Sequence, residues 1–254
     1  MSWDRLEREF DAWAAAGRRA TLWWRDDDAV ASTPALDRLL RVTGSAGIPL
    51  ALAVVPVSAD KSLAAAITAR EGITVLQHGY AHANHAAPGT RAVECGGTRP
   101  LDQVAMELTL GRARLAAMFE RRFLPVLVPP WNRIEPALLP RLEGLGYLGL
   151  STWGARAGLE AAPRLRQVNT HADPILWRKG RGFGGAERVT EALAGHLAAR
   201  REGTADPGEP TGLLTHHLAH DEPGWAFLAE LSERLSARSG LRWIAVGETF
   251  GDAA

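Results

Sequence analysis

The sequence has little of several features that would assign a protein class at once. Its 254 residues contain one cysteine, Cys95, which excludes an internal disulfide framework and a thiolate zinc cage and favours a reducing compartment. No run of about 18 apolar residues occurs, so we expect no membrane span. The 29 basic and 29 acidic side chains cancel to zero net charge, which excludes strong overall attraction to nucleic acid or anionic membranes. The expected partner is a small or neutral molecule.

Motifs for nucleotide binding and for nucleophilic catalysis are also missing. The chain has no P-loop, and GRGFGG at 180–185 does not follow an early strand as a dinucleotide fingerprint would. Ser151 lacks the second glycine of a nucleophile elbow, and Cys95 has no evident base partner. The first residues lack the basic and apolar stretches of a secretory signal, so we expect a soluble, cytoplasmic protein. The sequence does not indicate the oligomeric state.

Two kinds of segment alternate along the chain. Short β-favouring runs are separated by longer stretches rich in Ala, Leu, Glu and Arg, several of which end in glycine or basic residues as helices do. The predicted strands lie in ATLWW, IPLALAVVP, ITVLQ, FLPVLVP, YLGLSTW, LRQVNTH, TGLLTHH and LRWIAVGE. This alternation predicts an α/β fold with a parallel sheet, either a distorted (β/α) barrel of seven or eight strands or an open doubly wound sheet.

We expect one domain over residues 1–254, because barrels of this length often form a single unit. Apolar residues at helical spacing near the start predict an amphipathic helix at about residues 2–16. Polar or aromatic groups follow nearly every predicted strand, including Glu248 after the last one. In a barrel the loops after the strands lie on one face, so this clustering favours the barrel.

The segment QHGYAHANH contains the strongest pair of candidate ligands. His78 and His82 are four residues apart, and one helical turn would place both imidazoles on one side, about 6 Å apart along the axis. That arrangement suits two ligands of one metal ion. A pair of solvated or core histidines is the alternative, and His85 is expected at the rim.

Three adjacent aspartates, Asp26, Asp27 and Asp28, end the first predicted strand. A charged turn or a helix cap would explain them. However, alternate strand residues point inward, and carboxylates this close repel one another unless a cation neutralises them. One aspartate with two histidines is a frequent ligand set for catalytic zinc. We therefore predict a metal site, with Arg25 as a partner for the remaining charge.

Histidines also end the predicted strand in TGLLTHHLAHD. His216 and His217 face opposite ways on a strand, so only one is expected to reach the interior. His216 shares its face with Leu214, which makes it the candidate catalytic acid. A hydrogen-bonded core histidine is the alternative.

Aromatic and polar residues after other strands are candidates for substrate contacts. Trp131 and Trp153 end strands and are suited to stack on a sugar ring or to shape a pocket. His171 and Asp173, in VNTHADPILW, either line the pocket or belong to a loop with an Asx turn. The full set of expected substrate-binding residues is Pro130, Trp131, Asn132, Trp153, His171 and His217.

The ordered set DDDA, HGYAH, VPPWN, STW and LLTHH resembles the polysaccharide deacetylase family, carbohydrate esterase family 4, over about residues 22–220. That family has a distorted (β/α) barrel and removes acetyl groups from N-acetylated sugars with a divalent metal. The resemblance implies Asp27 as the base and Asp28, His78 and His82 as metal ligands. The register with Asp26 and Asp27 stays open. Zn²⁺ is the implied metal, with Co²⁺, Ni²⁺ or Mn²⁺ as alternatives.

Three departures from the family pattern bear on the base. Ala29 stands where the family has glycine, and Val128 stands where its third motif has arginine. The aspartate that orients this arginine has no clear counterpart near Ser151. Because the family uses that pair to hold the base, we expect a substitute, either Arg25 or Arg133.

These observations predict a metal-dependent hydrolase that removes an acetyl or other acyl group from an N-acetylated sugar or a related small amide. A non-catalytic carbohydrate-binding protein on a degenerate deacetylase scaffold is one alternative. The other is a cytosolic amide hydrolase with a non-sugar substrate.

Overall fold

Strands and helices alternate through the computed structural model, which describes residues 3–178, 180–236, 238 and 240–251. The strands are β1 Ala20–Ala29, β2 Leu50–Val54, β3 Ile73–His78, β4 Phe123–Val128, β5 Gly149–Leu150, β6 Glu160–Ala162, β7 Leu165–Gln167, β8 Ile175–Leu176, β9 Gly182–Phe183, β10 Thr211–Thr215 and β11 Leu241–Trp243. The α-helices are α1 Asp4–Ala15, α2 Pro34–Ser45, α3 Lys61–Thr68, α4 Leu101–Phe119, α5 Leu139–Leu142, α6 Ala186–Glu202, α7 Glu222–Ser236 and α8 Val246–Phe250. Short 3₁₀ turns lie at Glu120–Arg122, Pro130–Asn132, Pro136–Leu138 and His217–Ala219.

A mostly parallel sheet forms the centre of the molecule. Its strand order is β10-β1-β2-β3-β4-β5-β7-β6, and β11 also pairs with β1. Among the described strands of this sheet, only β6 and β7 pair antiparallel. Strand pairing does not close the described strands into a ring. Instead, the segment after β7 reaches the far edge through one isolated bridge, between Ala172 and Leu213.

The predicted α/β class and parallel sheet are therefore confirmed, and each of the eight predicted strand regions contains a strand. The short strands β6, β8 and β9 were not predicted, because two or three residues carry too little pattern. The placement of Glu248 at the end of a strand was wrong. It lies in α8 and accepts a hydrogen bond from Ala245 N (3.2 Å), at the start of that helix.

Local signals mark the starts and ends of several helices, including the glycine end expected for the helix before β10. The hydroxyl of Thr33 accepts a hydrogen bond from Leu36 N (3.0 Å), and Pro34 occupies the first helical position of α2. Asp60 caps α3 through Ser62 N (2.7 Å). Helix α6 ends at Glu202 and is capped by Gly203, whose φ of 78° is the left-handed conformation that glycine tolerates best. None of the described helices has both the length and the apolarity of a membrane span.

Alternation along β1 separates two buried faces. Leu22 and Trp24 belong to the large cluster under the helices, whereas Trp23 packs with Val126 and Phe250 in a second cluster. We call the side of the sheet that carries Trp23 the inner face. Arg25 and Asp27 follow Trp23 at a spacing of two, so the strand period directs them to the inner face as well.

Candidate metal and catalytic site

The aspartates of β1 are divided between the two faces of the sheet. Asp27 and Asp28 line a cavity of ≈ 680 Å³ at the carboxyl ends of the strands. Asp26 is fully buried on the other side. Asp28 would face the same way as Asp26 in a regular strand, but its φ of 70° and a register shift between Asp26 and Ala29 turn it toward the cavity.

Asp28, His78 and His82 meet in the cavity. The Asp28 Oδ1 atom lies 3.2 Å from His78 Nε2 and 3.3 Å from His82 Nε2. Ligand atoms bound tetrahedrally to one zinc ion at about 2.0–2.2 Å lie roughly 3.3–3.6 Å from one another. Asp28 Oδ1 is buried without a hydrogen-bond partner among the described residues. This donor set and its spacing fit a single divalent cation.

The tautomer of His78 also fits a metal ligand. His78 Nδ1 lies 2.9 Å from the carbonyl oxygen of Val128, which can only accept a hydrogen bond. The proton of a neutral imidazole is therefore on Nδ1, and the lone pair of Nε2 points toward Asp28 and His82. A backbone carbonyl that fixes the tautomer in this way is the usual support for a metal-binding histidine.

His82 reaches the site from an irregular loop, so the helical turn predicted for His78–His82 was wrong. His78 is the last residue of β3, and His82 follows with a left-handed φ of 56°. Trp131 and Asn132 share this φ, and the Trp131 ring packs 4.6 Å from that of His82. Such backbone conformations cost about 1–3 kcal/mol each and persist where surrounding contacts enforce them.

The buried carboxylate of Glu94 provides much of that enforcement. It accepts backbone hydrogen bonds from Tyr80 (3.0 Å), Ala81 (2.8 Å) and Ala83 (3.1 Å), all in the loop that carries His82. Gly79 precedes this loop with φ 56°, and a Cβ there would lie 1.9 Å from Glu94 Oε2. Glycine at 79 thus allows the close approach that fixes the His82 loop.

The charges of Asp28, His78 and His82 shift one another's pKa values. Burial raises the pKa of Asp28, but the neighbouring histidines, His78 first, outweigh burial and lower it. Burial lowers the pKa of His78, but the Asp27 and Asp28 carboxylates outweigh it, and the pKa is raised. The pKa of His82 is lowered by burial and by the nearby His78 charge.

Asp27 is held by Arg25 on the same strand. The guanidinium donates from Nε to Asp27 Oδ1 (2.8 Å) and from Nη2 to Oδ2 (3.1 Å). It also donates to Ser151 Oγ and to Asn132 Oδ1, both at 2.7 Å. The side chains of Arg25 and Asp27 are 0% and 2% exposed, so this pair is shielded from water.

Of the two substitutes expected from the sequence, Arg25 is therefore the one that contacts Asp27, and Ser151 accepts a hydrogen bond from it. The other candidate, Arg133, instead donates to the carbonyl oxygen of Ala92 (2.8 Å). A period-two spacing between a basic and an acidic residue on one strand was the signal for the Arg25–Asp27 pair.

His216 enters the same cavity together with Leu214, on the face predicted for both. The Trp177 indole and the His216 ring pack edge to face, with centroids 4.6 Å apart. Trp177 donates from Nε1 to Asp173 Oδ2 (2.8 Å), and Asp173 Oδ1 accepts from Ile175 N (2.8 Å). Asp173 thus both lines the cavity and forms the Asx-type turn, which had been alternatives.

His217 was expected to contact substrate, but the structure places it elsewhere. It is 1% exposed, and its Nδ1 lies 2.5 Å from Asp26 Oδ1. The Asp26 Oδ2 atom accepts from Thr215 Oγ1 (2.6 Å) and from His217 N (3.0 Å). Burial lowers the pKa of His217, but Asp26 outweighs it and raises the pKa. Asp26 and His217 form a structural pair, because both face away from the cavity.

His171 was also expected at the substrate, and that expectation was wrong. Its ring stacks on His196 at 3.3 Å between centroids, beside the buried carboxylate of Glu209. These three side chains are close enough to suggest a second metal group. However, His171 Nδ1 accepts the backbone N–H of Gly212 (2.9 Å), so the proton of the neutral ring is on Nε2. A metal at Nε2 needs the opposite tautomer, so His171 does not offer a lone pair there and we expect no metal at this cluster.

The residues of VPPWN divide between the cavity and the core. Trp131 and Asn132 line the cavity, as does Trp153, which is 47% exposed. Pro130, predicted to contact substrate, is buried and packs where a side chain at Gly79 would lie. Its role is to shape the turn before Trp131, so the expectation of a substrate contact was wrong.

No protein-family model matches the sequence, and no curated relative matches it either. Solved structures do match in shape. A family 4 carbohydrate esterase from Streptomyces lividans, in complex with acetate, has a TM-score of 0.57 and 15% identity, over 87% of this chain and 90% of that one. The chain has the fold of the family 4 carbohydrate esterases.

Two further structures with this fold show similar agreement. The Bc1960 peptidoglycan N-acetylglucosamine deacetylase gives a TM-score of 0.56 at 14% identity, over 94% of this chain and 95% of that one. A family 4 acetyl xylan esterase from Clostridium thermocellum, in complex with a cobalt ion, gives 0.52 at 15% identity, over 91% and 90%. The fold predicted from the resemblance is confirmed.

Several residues of the site had no sequence signal that singled them out. Glu94 lies 12 residues after His82 in an irregular segment, and Trp177 lies in the unpredicted β8–β9 hairpin. The sequence around Ser151 indicates neither a nucleophile elbow nor a partner for Arg25. Each acquires its role through contacts with residues far away in the chain, which periodicity does not report.

Proposed function

We propose that this chain is a divalent-metal-dependent hydrolase that removes an acetyl or related acyl group from an amine. The observation that carries the proposal is a group of three potential metal ligands, Asp28, His78 and His82, in one cavity. Asp27 lines the same cavity and is hydrogen-bonded to Arg25. The shared fold with deacetylases and esterases supports it.

Asp28, His78 and His82 would hold the cation, and zinc is the proposed metal, with cobalt, nickel and manganese as alternatives. When bound, such a cation activates water and polarises the acyl carbonyl. Asp27 is the general base, because Arg25 holds its two oxygens in place at the edge of the cavity. His216 lines the same cavity as Asp27 and Asp28 and is the proposed group that protonates the departing amine.

The substrate proposed from this cavity is an N-acetylated sugar or a related small amide. Trp131 and Trp153 offer aromatic surface beside the metal ligands, which suits a sugar ring. The complete set of contacts on Asp27 favours an enzyme over a non-catalytic binding protein, because the missing arginine that motivated that alternative is replaced. A cytoplasmic location remains a prediction from the sequence.

Purified protein loaded with zinc tests the proposal through acetate release from chitooligosaccharides. Asp27→Asn and His216→Ala should abolish turnover while metal stays bound, whereas His78→Ala should lose both. His85→Ala is the matched control, because His85 lies in the same loop but outside the cavity. Unchanged turnover in the first three variants would refute the assignment.

A further inference from the structure

The mouth of the cavity carries four arginines that deacylation does not require. Arg133, Arg178, Arg181 and Arg188 all line it, and we call them the arginine rim. No carboxylate pairs with any of them in the part of the chain that the structure describes. Elsewhere on the surface, arginines such as Arg38 are paired with acidic side chains. The rim is therefore a local excess of positive charge on a chain with zero net charge.

Two of these arginines come from the β8–β9 hairpin, beside the proposed catalytic acid. Arg178 and Arg181 follow Trp177, and the Arg181 guanidinium lies 5.6 Å from the centroid of the Trp177 ring. The hydrogen bond of Trp177 to Asp173 and its contact with His216 fix this indole. The hairpin thus places two guanidinium groups near His216, the residue proposed to protonate the departing amine.

The other two arginines are tethered by backbone contacts that leave donors free. Arg133 donates through Nη1 to Ala92 O, and Arg188 donates through Nη2 to Asp173 O (2.5 Å). A guanidinium has five N–H donors in all. Burial, together with the like charges of Arg91 and Arg178, lowers the pKa of Arg133. These cations repel one another, and a bound anion would relieve that repulsion.

The carboxylates of the cavity do not neutralise the rim. Asp27 is paired with Arg25, and Asp28 belongs to the metal triad. Asp173 is the remaining carboxylate of the cavity, and its charge interacts with Arg188. One carboxylate does not offset four guanidinium groups, so a bound anion would complement the charge of the rim.

We infer that the arginine rim binds an oxyanion of the substrate, a phosphate or a carboxylate carried close to the acylated amine. Guanidinium groups bind both anions through paired hydrogen bonds, and more strongly than they bind neutral acceptors. This inference rests on the proposed deacylation and narrows its substrate to an anionic one. It also replaces the small or neutral partner expected from overall charge.

Three N-acetylated sugars that differ in charge test the inference. N-acetylglucosamine is neutral, N-acetylglucosamine 1-phosphate carries a phosphate, and N-acetylmuramic acid carries a carboxylate. With zinc-loaded protein, kcat/KM for at least one charged sugar should exceed that of the neutral sugar by about tenfold or more. Preference for phosphate or for carboxylate identifies the group.

Substitution of the hairpin arginines should remove this preference. In the double variant Arg178→Gln, Arg181→Gln, KM for the preferred charged sugar should rise about tenfold, whereas kinetics with the neutral sugar stay unchanged. Arg121→Gln is the matched control, because Arg121 is an exposed arginine before β4, outside the cavity. An equal rise of KM in Arg121→Gln would show that the loss of positive charge anywhere on the protein has this effect, and it would overturn the inference.

A binding measurement separates this inference from the proposed function. Calorimetric titration of the three sugars into Asp27→Asn protein measures affinity without turnover. Lack of hydrolysis of any sugar by the unaltered protein would count against deacylation, whereas the titration still tests the rim. If neither charged sugar binds more tightly than the neutral one, the inference is overturned.

Discussion

Arg25 and Asp27 lie two residues apart on one strand, and the guanidinium of the first holds both carboxylate oxygens of the second at 2.8 and 3.1 Å. Both side chains are buried, so water does not compete for the hydrogen bonds between them. Asp27, the proposed base, is therefore positioned by its own strand, with Ser151 and Asn132 accepting hydrogen bonds from the arginine from neighbouring loops.

Replacement of this guanidinium should disturb the proposed base in one variant and also the stability of the fold in another. Arg25→Lys keeps the charge but loses the two-pronged contact, so we expect kcat to fall about 10- to 100-fold with little change in KM. Arg25→Met should lower the free energy of unfolding by about 3–5 kcal/mol, because it leaves the Asp27 carboxylate buried without its ion-pair partner. Steady-state kinetics and urea unfolding measure the two effects.

Ser151→Ala is the matched control for Arg25. It removes one acceptor of the guanidinium and leaves the Arg25–Asp27 contact intact. The free energy of unfolding should therefore fall by about 1 kcal/mol. Equal losses of kcat in Arg25→Lys and Ser151→Ala would contradict the view that Arg25 acts through Asp27.

Glu94 should control metal affinity without touching the metal. Glu94→Gln replaces one of the two acceptor oxygens by an N–H₂ group, so at least one of the three backbone donors loses its acceptor and the loop that carries His82 should loosen. We expect the affinity for zinc to fall about 10- to 100-fold. Competition with a chromogenic chelator measures it. Glu9→Gln, which changes a buried carboxylate on α1 bound to Arg201, is the control and should leave zinc affinity unchanged.

Metal content should distinguish the two clusters of histidines and carboxylates. We expect one divalent ion per chain, lost or much weakened in Asp28→Ala. Glu209→Gln should keep that ion, because the proton on His171 Nε2 excludes a metal from the second cluster. Elemental analysis after dialysis gives the stoichiometry, and two ions per chain would disprove the tautomer argument.

The buried His171 should make stability depend on pH. Burial lowers its pKa from 6.5 to about 4, so the unfolded chain binds the extra proton first as the pH falls. Stability is therefore full above about pH 6.5 and decreases down to about pH 4, with a slope of up to about 1.4 kcal/mol per pH unit from this group.

Unfolding by urea at several pH values, in the presence of a chelator, measures that slope. His171→Gln should flatten it between pH 4 and 6.5, because the titrating group is gone. An identical slope in the unaltered protein and in His171→Gln would show that His171 does not titrate differently on folding.

Some of the site could be predicted from sequence because the signals were local. The eight apolar runs predicted their strands, and the spacing of His78 and His82 indicated two ligands on one cation. The helical turn between them was wrong, because Glu94 holds the loop in a left-handed conformation that spacing does not report. His171 and His217 were misplaced, because a strand end offers a histidine both to the cavity and to the core.

The sequence by itself determined the order of strands and helices, the two faces of β1 and the residue types available at the carboxyl ends of the strands, because hydrophobic periodicity and capping act over a few residues. The tertiary structure alone decided which charges meet. The hydrogen bond between Arg25 and Ser151 joins residues 126 positions apart in the sequence, and the contact between Asp26 and His217 joins residues 191 positions apart. Burial makes an unpaired charge costly, so the folded arrangement, not the chain order, selects each partner.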